Sequence, residues 1–170
     1  MVKYDLGAFV KPLCSWYEKN KRSMPWREQK GAYEVWISEI MLQQTRIEAV
    51  KGYYDRFLKR LPAVKDLAEI PQEELMKLWE GLGYYNRARN LQKAAQKVQD
   101  EYDGVLPADY EKLKSLPGIG NYTAGAIASI AYKIPAPAVD GNVMRVTMRL
   151  LGCRDDIMKS SVRRDMEQSL

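Results

Sequence analysis

The chain has 170 residues, enough to bury a hydrophobic core without support from disulfides or metals. Its 27 Lys and Arg residues outnumber its 22 Asp and Glu residues by five, which favours a polyanionic partner. It contains no histidine, which excludes histidine triads and histidine metal sites and leaves acid–base chemistry to carboxylates, Lys, Tyr or Cys. Cys14 and Cys153 suit a reducing cytoplasm. No apolar run approaches the ~20 residues of a membrane span.

The elements predicted from the first half of the chain are helices. The first is expected at about residues 5–19. One long helix is predicted from Tyr33 to Phe57, because apolar residues recur there at intervals of three and four. Pro71 is typical of a first helical residue, and Gly81 and Gly83 are expected to end the helix that it begins.

The second half of the chain continues this pattern. A helical stripe runs from Ala88 to Tyr102, with Asn86 before it and Gly104 after it. Asp109 is expected to cap a short helix that ends near Leu116. Further helices are predicted at 122–132, at 141–151 and from about 160, where a stripe of Val162, Met166 and Leu170 continues to the last residue. We therefore predict an all-α protein, and we expect the chain to be part of a longer one.

A glycine hairpin joins two of the predicted helices in the string LPGIGNYTAGA, residues 116–126. Glycine permits positive φ and close approach of a ligand to the backbone. The amides of Gly118, Gly120 and Asn121 are expected to point out of a helix N-terminus, which is a natural phosphate site. An ordinary tight connection between helices is the alternative interpretation.

The string VDGNVMRV places Asp140 where a helix begins, so its side chain can accept hydrogen bonds from the amides of Asn142 or Val143. Acidic N-caps are usually only structural. The same location also keeps the carboxylate ionised, since amide donors and the helix dipole favour the charged form. An ionised carboxylate is what an oxocarbenium-like sugar transition state requires.

The string VWISEIMLQQT holds a lone acid, Glu39, inside a strongly apolar helical stretch. Burial disfavours the ionised form, so we expect the pKa of Glu39 to rise towards a value useful for a general acid. A solvated helix face or a core ion pair would be the purely structural explanation.

Two aromatic strings complete the set. In MPWR, Trp26 and Arg27 can stack on and hydrogen-bond to an extruded base. In WEGLGYYNRAR, Tyr84 is expected on a loop that can wedge into DNA, and Arg87 and Arg89 can meet phosphate. Aromatic residues at this density are otherwise typical of a core.

Together these strings resemble the adenine glycosylases of the helix-hairpin-helix base-excision superfamily, from about Pro25 to Leu151. The resemblance implies an all-α helix-hairpin-helix glycosylase fold. It places a six-helix domain at 25–135 and a second, incomplete helical domain of iron–sulfur type at 1–24 plus 136–170. The full-length family continues to four cysteines that bind a 4Fe–4S cluster. Those cysteines are absent here, and no other metal or cofactor is expected.

The resemblance also implies a reaction: excision of adenine mispaired with guanine or 8-oxoguanine, after the base has flipped out of the duplex. Glu39 would protonate adenine and Asp140 would stabilise the sugar cation. Tyr122 stands where lyase-type relatives carry a Schiff-base lysine, so the enzyme is expected to be monofunctional. The remaining implied site residues are Tyr122 and Asn142 in catalysis; Trp26, Arg27, Leu42 and Ile47 in the adenine pocket; and Gln43, Gln44, Thr45, Tyr84, Arg87, Gly118, Ile119 and Gly120 at the DNA surface.

The implied partner is duplex DNA with A:G or A:8-oxoguanine mispairs, bound by a monomer in the bacterial cytoplasm and not at a membrane. Two alternatives stay open at this point. The chain could be an inactive DNA-binding fragment of such an enzyme. It could also be a thymine-mismatch glycosylase, a class that shares the tyrosine after the hairpin but lacks the Gln43–Gln44 pair.

Overall fold

A computed structural model describes residues 7–28 and 31–169, and every regular element in these ranges is a helix, which confirms the all-α prediction. Residues 5 and 6 of the first predicted helix, and Leu170 of the last predicted stripe, lie outside the described residues. The helices are α1 (Gly7–Asn20), α2 (Pro25–Glu28), α3 (Ala32–Leu42), α4 (Ile47–Arg60), α5 (Val64–Glu69), α6 (Gln72–Trp79), α7 (Asn86–Tyr102), α8 (Tyr110–Lys114), α9 (Asn121–Ile130), α10 (Gly141–Leu150) and α11 (Ser160–Ser169). None of these helices is both apolar enough and long enough to span a bilayer.

The chain divides into two compact units. The larger unit is Met24–Ala138, and the smaller unit combines Met1–Ser23 with Val139–Leu170. The corresponding sequence expectation was 25–135 against 1–24 plus 136–170. Assignment of the smaller unit to an incomplete iron–sulfur-type domain stays a prediction.

The larger unit contains one continuous hydrophobic core. Helix α7 contributes a stripe that recurs every three or four residues and is fully buried, namely Ala88, Leu91, Ala94, Ala95 and Val98. This helix packs against α5, while α3 packs against α4 and α9. Large aromatic side chains fill the centre: the Phe57 and Trp79 rings meet edge to face at 6.0 Å between centroids.

The single long helix predicted from Tyr33 to Phe57 is wrong. Helix α3 ends at Leu42, α4 begins at Ile47, and Gln44 between them has a φ of +57°. The apolar stripe continues on both sides of the break, so its periodicity alone does not reveal the interruption. The physical cause is a contact distant in sequence: Arg87 donates hydrogen bonds to the carbonyls of Ile40 and Met41, in the last turn of α3.

Short helices and helix ends account for the other differences. Helices α2 and α5 were not predicted. They have four and six residues, and a helix of that length is too short to show an apolar repeat in the sequence. Pro71 directly precedes α6 instead of being its first residue. The predicted cap at Asp109 is confirmed, since its carboxylate accepts a hydrogen bond from the Lys112 amide at 2.8 Å.

The smaller unit buries much less apolar surface. Among its described residues, four buried side chains form the core. Met144 and Met148 come from α10, Met166 comes from α11, and Val139 directly precedes the cap of α10. No residue of α1 is buried. Phe9, Leu13 and Trp16 are among its exposed side chains.

Candidate active site

Glu39 lies in the last turn of α3, the most buried helix that carries a predicted site residue. Its neighbours Ser38 and Ile40 are buried, and Glu39 itself is half-buried. Ser38 donates its hydroxyl to the Val35 carbonyl at 2.8 Å, so the other polar side chain of this turn is satisfied within the helix. Glu39 is thus a half-buried acid on a helix whose neighbouring side chains are buried in the core.

Asp140 caps α10, as its sequence position predicts. One carboxylate oxygen accepts a hydrogen bond from the Val143 amide at 2.8 Å, and the other accepts one from the Asn142 side-chain amide at 3.0 Å. Asn142 therefore contacts the carboxylate directly, through its side chain. Both oxygens face N–H donors, which hold the carboxylate in one orientation at the start of the helix.

The hairpin occupies residues 115–120 between α8 and α9. Gly118 has a φ of +77°, and a Cβ placed there would lie 2.9 Å from Asn90 Cβ, so only glycine fits. The amide of Ile119 donates to the Leu116 carbonyl at 3.1 Å, and its side chain is buried. Ile119 therefore anchors the hairpin in the core, whereas Gly118 and Gly120 are exposed.

Tyr122 is half-buried in the first turn of α9. Two residues later α9 enters a fully buried run from Ala124 to Ala128, in which every residue except Ile127 is Ala or Gly. Gly125 belongs to this run, and a Cβ there would lie 2.0 Å from the Pro137 carbonyl oxygen. The bare glycine backbone thus allows the segment that leads towards Asp140 to lie directly against α9.

Two turns carry exposed side chains on strained backbone. In the Gln43–Arg46 turn, Gln44 is exposed at a φ of +57°. In the Gly81–Tyr84 turn, Tyr84 is 63% exposed at a φ of +48°. Left-handed backbone costs a residue with a Cβ roughly 1–2 kcal/mol, so tertiary contacts must hold both residues in place.

Arg87 supplies those contacts. Its guanidinium turns inward and donates to backbone or hydroxyl oxygens on both turns. The acceptors are the carbonyls of Ile40 (2.8 Å), Met41 (3.0 Å), Gln43 (2.6 Å), Leu82 (3.0 Å) and Gly83 (3.2 Å) and the hydroxyl of Thr45 (3.2 Å). Both terminal nitrogens are thus engaged within the chain, and the phosphate contact expected for Arg87 stays a prediction. Burial lowers the pKa of Arg87 from its ordinary value.

The residues predicted for the adenine pocket differ in exposure. The Trp26 ring is buried and meets Tyr54 edge to face at 5.5 Å between centroids, so it is part of the core. Arg27 is exposed, while Leu42 and Ile47 are half-buried and pack against the core. Leu42 and Ile47 thus flank the break between α3 and α4, beside Gln43 and Thr45.

Sequence reasoning missed three supporting residues. Asn90 lies one turn after Arg87 and touches the hairpin glycine. Trp79 donates its indole N–H to the Gly83 carbonyl at 3.1 Å and so restrains the second turn. Gly125 lies at the end of the hairpin string LPGIGNYTAGA, and no role was predicted for it. Its signal in the sequence is a glycine flanked by alanines within an apolar helix, a pattern that indicates close backbone approach.

Comparison with known proteins places this geometry in a family. Residues 37–170 match the HhH-GPD superfamily base excision DNA repair protein. The chain is 46% identical to the adenine DNA glycosylase of Rattus norvegicus over 167 residues, and this alignment covers 93% of the chain and 32% of the relative. It is 42% identical over 143 residues to the enzyme of that name from Buchnera aphidicola subsp. Baizongia pistaciae, covering 84% of the chain and 41% of the relative. The chain thus spans about a third of the length of the rat relative.

Two solved structures share the fold. A thermostable thymine-DNA glycosylase superposes with a TM-score of 0.85 at 28% identity, covering 95% of this chain and 76% of that one. A non-covalent endonuclease III–DNA complex superposes with a TM-score of 0.76 at 28% identity, covering 95% and 74%. The matched family model spans both the hairpin and the Asp140 helix. The chain therefore belongs to the HhH-GPD superfamily of base excision DNA repair proteins.

Proposed function

We propose that this chain is the catalytic portion of a monofunctional adenine DNA glycosylase, which removes adenine mispaired with guanine or 8-oxoguanine. The observation that carries the proposal is the pair of carboxylates, Glu39 on a buried helix and Asp140 as an oriented helix cap, in a chain 46% identical to an adenine DNA glycosylase. Two carboxylates with different surroundings are the usual requirement for breaking a glycosidic bond.

In the proposed reaction, adenine leaves the duplex stack because its N-glycosidic bond is inaccessible inside it. Glu39 donates a proton to a ring nitrogen of adenine, so that the base departs as a neutral molecule while the bond to the sugar breaks. Asp140 stabilises the positive charge that develops on the deoxyribose. Water then adds to the sugar carbon and loses a proton, which leaves an abasic site.

Tyr122 and Asn142 assist this reaction in the proposal. Asn142 donates to the carboxylate of Asp140, which supports a role in fixing that group. Tyr122 replaces the lysine that would attack the sugar as an amine, so no Schiff base forms and the DNA strand is not cut. Leu42, Ile47 and Arg27, with the edge of Trp26, are proposed to contact the extruded adenine.

Duplex DNA is the proposed partner of a monomeric chain. The exposed hairpin glycines Gly118 and Gly120 are proposed to meet a phosphate, with the buried Ile119 anchoring the hairpin. Gln44 and Tyr84 are proposed to enter the duplex near the mispair. Gln43 and Thr45 flank Gln44 and are proposed to lie at the DNA surface. An excess of five basic residues supports electrostatic attraction to DNA.

The iron–sulfur cluster of full-length relatives does not fit this chain. A 4Fe–4S cluster requires four cysteine thiolates, and the sequence contains two, Cys14 and Cys153. Within the ranges that the structure describes, no group of three or more His, Cys, Asp or Glu side chains is arranged to hold a metal. We therefore propose that the chain acts without a cofactor; elemental analysis that found stoichiometric iron would contradict this.

The test is single-turnover excision by the 170-residue chain on duplexes containing A:8-oxoguanine, A:G, T:G or fully paired A:T. We expect adenine release from the first two only. Glu39→Gln and Asp140→Asn should each lower the rate by at least about a hundredfold, because general acid and charge stabilisation each contribute on this scale.

Matched controls separate chemistry from structure. Glu34→Gln changes another half-buried acid of α3, and Asp109→Asn changes a cap with the same 2.8 Å geometry as Asp140. Both controls should excise adenine at the wild-type rate. Release of thymine from T:G, or wild-type rates in the Glu39→Gln variant, would overturn the proposal.

A further inference from the structure

Each of the two strained turns carries a side chain that faces solvent. Gln44 follows α3, which carries Glu39, and Tyr84 follows α6. Both have positive φ although neither is glycine, so each turn depends on contacts from outside it. Nothing in the local sequence of either turn explains why a glutamine and a tyrosine adopt this backbone.

One guanidinium supports both turns. Arg87 Nη1 donates only to the α3 side, at the carbonyls of Ile40, Met41 and Gln43. Its Nη2 donates to both sides, at the Thr45 hydroxyl and at the carbonyls of Leu82 and Gly83. Two of these acceptors, Ile40 and Met41, are carbonyls in the last turn of α3, which lack partners within the helix.

Two rings complete the arrangement. The guanidinium carbon lies 5.4 Å from the Trp79 ring centroid and 5.6 Å from that of Tyr84. Trp79 in turn donates to the Gly83 carbonyl. Within the described part of the chain, the ion pairs that form do not include Arg87. Its partners are therefore carbonyl and hydroxyl dipoles and aromatic faces at the two turns and at the ends of α3 and α6 that lead into them. We call this arrangement the Arg87 clamp.

We propose that Arg87 is a positioning residue that fixes the Gln43–Arg46 turn and the Gly81–Tyr84 turn as one unit, so that Gln44 and Tyr84 engage a mispair together. The proposal rests on the proposed function only in naming DNA as the ligand. It also ties the last turn of α3, where Glu39 lies, to both turns. Displacing either turn then disturbs the other, and with it the placement of the proposed acid.

Lysine is the informative replacement. Its ammonium keeps the charge but places three N–H donors on a single nitrogen. Arg87 places four N–H donors on two separate nitrogens, so lysine cannot reach the end of α3 and both turns with the same geometry. Arg60→Lys is the matched control, since Arg60 forms an exposed ion pair with Glu74 on the α4–α6 side of the molecule. Thr45→Val is a milder variant that removes the acceptor at 3.2 Å and keeps Arg87.

The first measurement needs no DNA. Hydrogen exchange is followed at one amide in each turn. The Thr45 amide donates to the Leu42 carbonyl at the end of α3 at 3.3 Å, and the Leu82 amide donates to the Trp79 carbonyl at the end of α6 at 3.1 Å. In Arg87→Lys we expect faster exchange at both amides and unchanged exchange in α7 beyond Leu91. In Arg60→Lys neither turn should change. Faster exchange at one turn alone, or at neither, would overturn the coupling.

The second measurement is the ratio of dissociation constants for A:T and A:8-oxoguanine duplexes, taken where each variant is folded. We expect Arg87→Lys to lower this mispair preference about tenfold, since two or more charge-assisted hydrogen bonds are lost. Thr45→Val should lower it less, in the same direction. An unchanged ratio in Arg87→Lys would overturn the role of the clamp in DNA engagement.

The proposed role of Arg87 and the proposed function can fail independently. If wild-type chain fails to excise adenine, the proposed function falls while the exchange result on the turns stands by itself. If Arg87→Lys does not fold, Thr45→Val decides: faster exchange at Leu82, on the turn that was not altered, supports the coupling, and unchanged exchange there overturns it.

Discussion

The two units of the chain differ in how completely they cover their apolar side chains. In the larger unit, Trp36, Trp79 and Phe57 have no solvent exposure. In the part of the smaller unit that the structure describes, four buried side chains form the core, and Leu13 in α1 is 62% exposed. Hydrophobic burial is the main favourable term in folding, so most of the stability of the chain belongs to the larger unit. The hairpin and Glu39 lie in the well-packed unit, whereas Asp140 lies in the sparsely packed one.

The largest expected effect tests this difference with one residue type. Leu91 is 1% exposed in the larger unit, so Leu91→Ala should lower the free energy of unfolding by about 2–5 kcal/mol, through lost burial and a new cavity. Leu13→Ala in α1 should change it by less than about 0.5 kcal/mol. Urea unfolding monitored by circular dichroism gives both values. Equal losses would mean that α1 is as well packed as α7.

The second prediction concerns close backbone packing within the larger unit. Gly125→Ala places a methyl group 2.0 Å from the Pro137 carbonyl oxygen, and we expect a loss of about 1–3 kcal/mol or more in unfolding free energy. Gly52 lies inside α4 with only Arg56 Nη1 nearby, at 3.9 Å. Gly52→Ala should therefore stabilise the chain by about 0.5–1 kcal/mol. The opposite signs, measured in the same urea titration, are the critical result.

The third prediction uses pH to probe the core of the larger unit. Burial raises the pKa of Tyr33, whose hydroxyl donates to the Leu61 carbonyl at 2.9 Å. The folded state keeps this proton when the unfolded state loses it, so stability is unaffected below the ordinary tyrosine pKa of about 10 and falls above it. Tyr33→Phe should remove about 1.4 kcal/mol of that fall between neutral pH and pH 11.

The measurement for Tyr33 is the slope of unfolding free energy against pH, because the lost hydrogen bond lowers the absolute stability at every pH. Burial also raises the pKa of Tyr54, so Tyr54→Phe should flatten the same alkaline slope. An identical slope in both variants and wild type would show that other groups cause the alkaline loss.

The smallest effect compares two caps of equal geometry, one in each unit. Asp109 and Asp140 each accept an amide hydrogen bond at 2.8 Å from the third residue after them. Replacing either by Ala should cost about 1 kcal/mol of local helix stability. Circular dichroism in a urea titration should show the Asp109→Ala loss in the main transition and the Asp140→Ala loss at lower urea. Coincident transitions would mean that the two units unfold together.

The parts of the fold that sequence reasoning predicted correctly depend on neighbours close in the chain. The stripe of α7 and the caps at Asp109 and Asp140 involve contacts within four residues. The break between α3 and α4 was missed because its cause, Arg87, lies 44 residues after the Gln43 carbonyl that it binds. The same distance in sequence hid the hydrogen bonds by which Arg87 joins the end of α3 to the Gly81–Tyr84 turn.

The candidate site divides in the same way. Residue types and spacing predict Glu39, Asp140 and the hairpin glycines as site residues, because the chemistry proposed for each depends on its near neighbours in the sequence. Burial could not be read locally: the residues around Trp26 in the sequence do not show that its ring packs in the core against Tyr54. Gly125 shows the reverse, since its importance comes from Pro137, which approaches it from outside the helix.

The clamp at Arg87 has a consequence for how the chain should respond to ionic strength. The Arg87 guanidinium is partly buried and donates its hydrogen bonds to carbonyl oxygens. Dissolved ions screen partly buried contacts of this kind poorly. Attraction to the phosphate backbone, in contrast, weakens steeply with salt, because the free energy gained when binding releases counterions becomes smaller. Added salt should therefore weaken DNA binding by this chain while leaving the conformation of the Gln43–Arg46 and Gly81–Tyr84 turns unchanged.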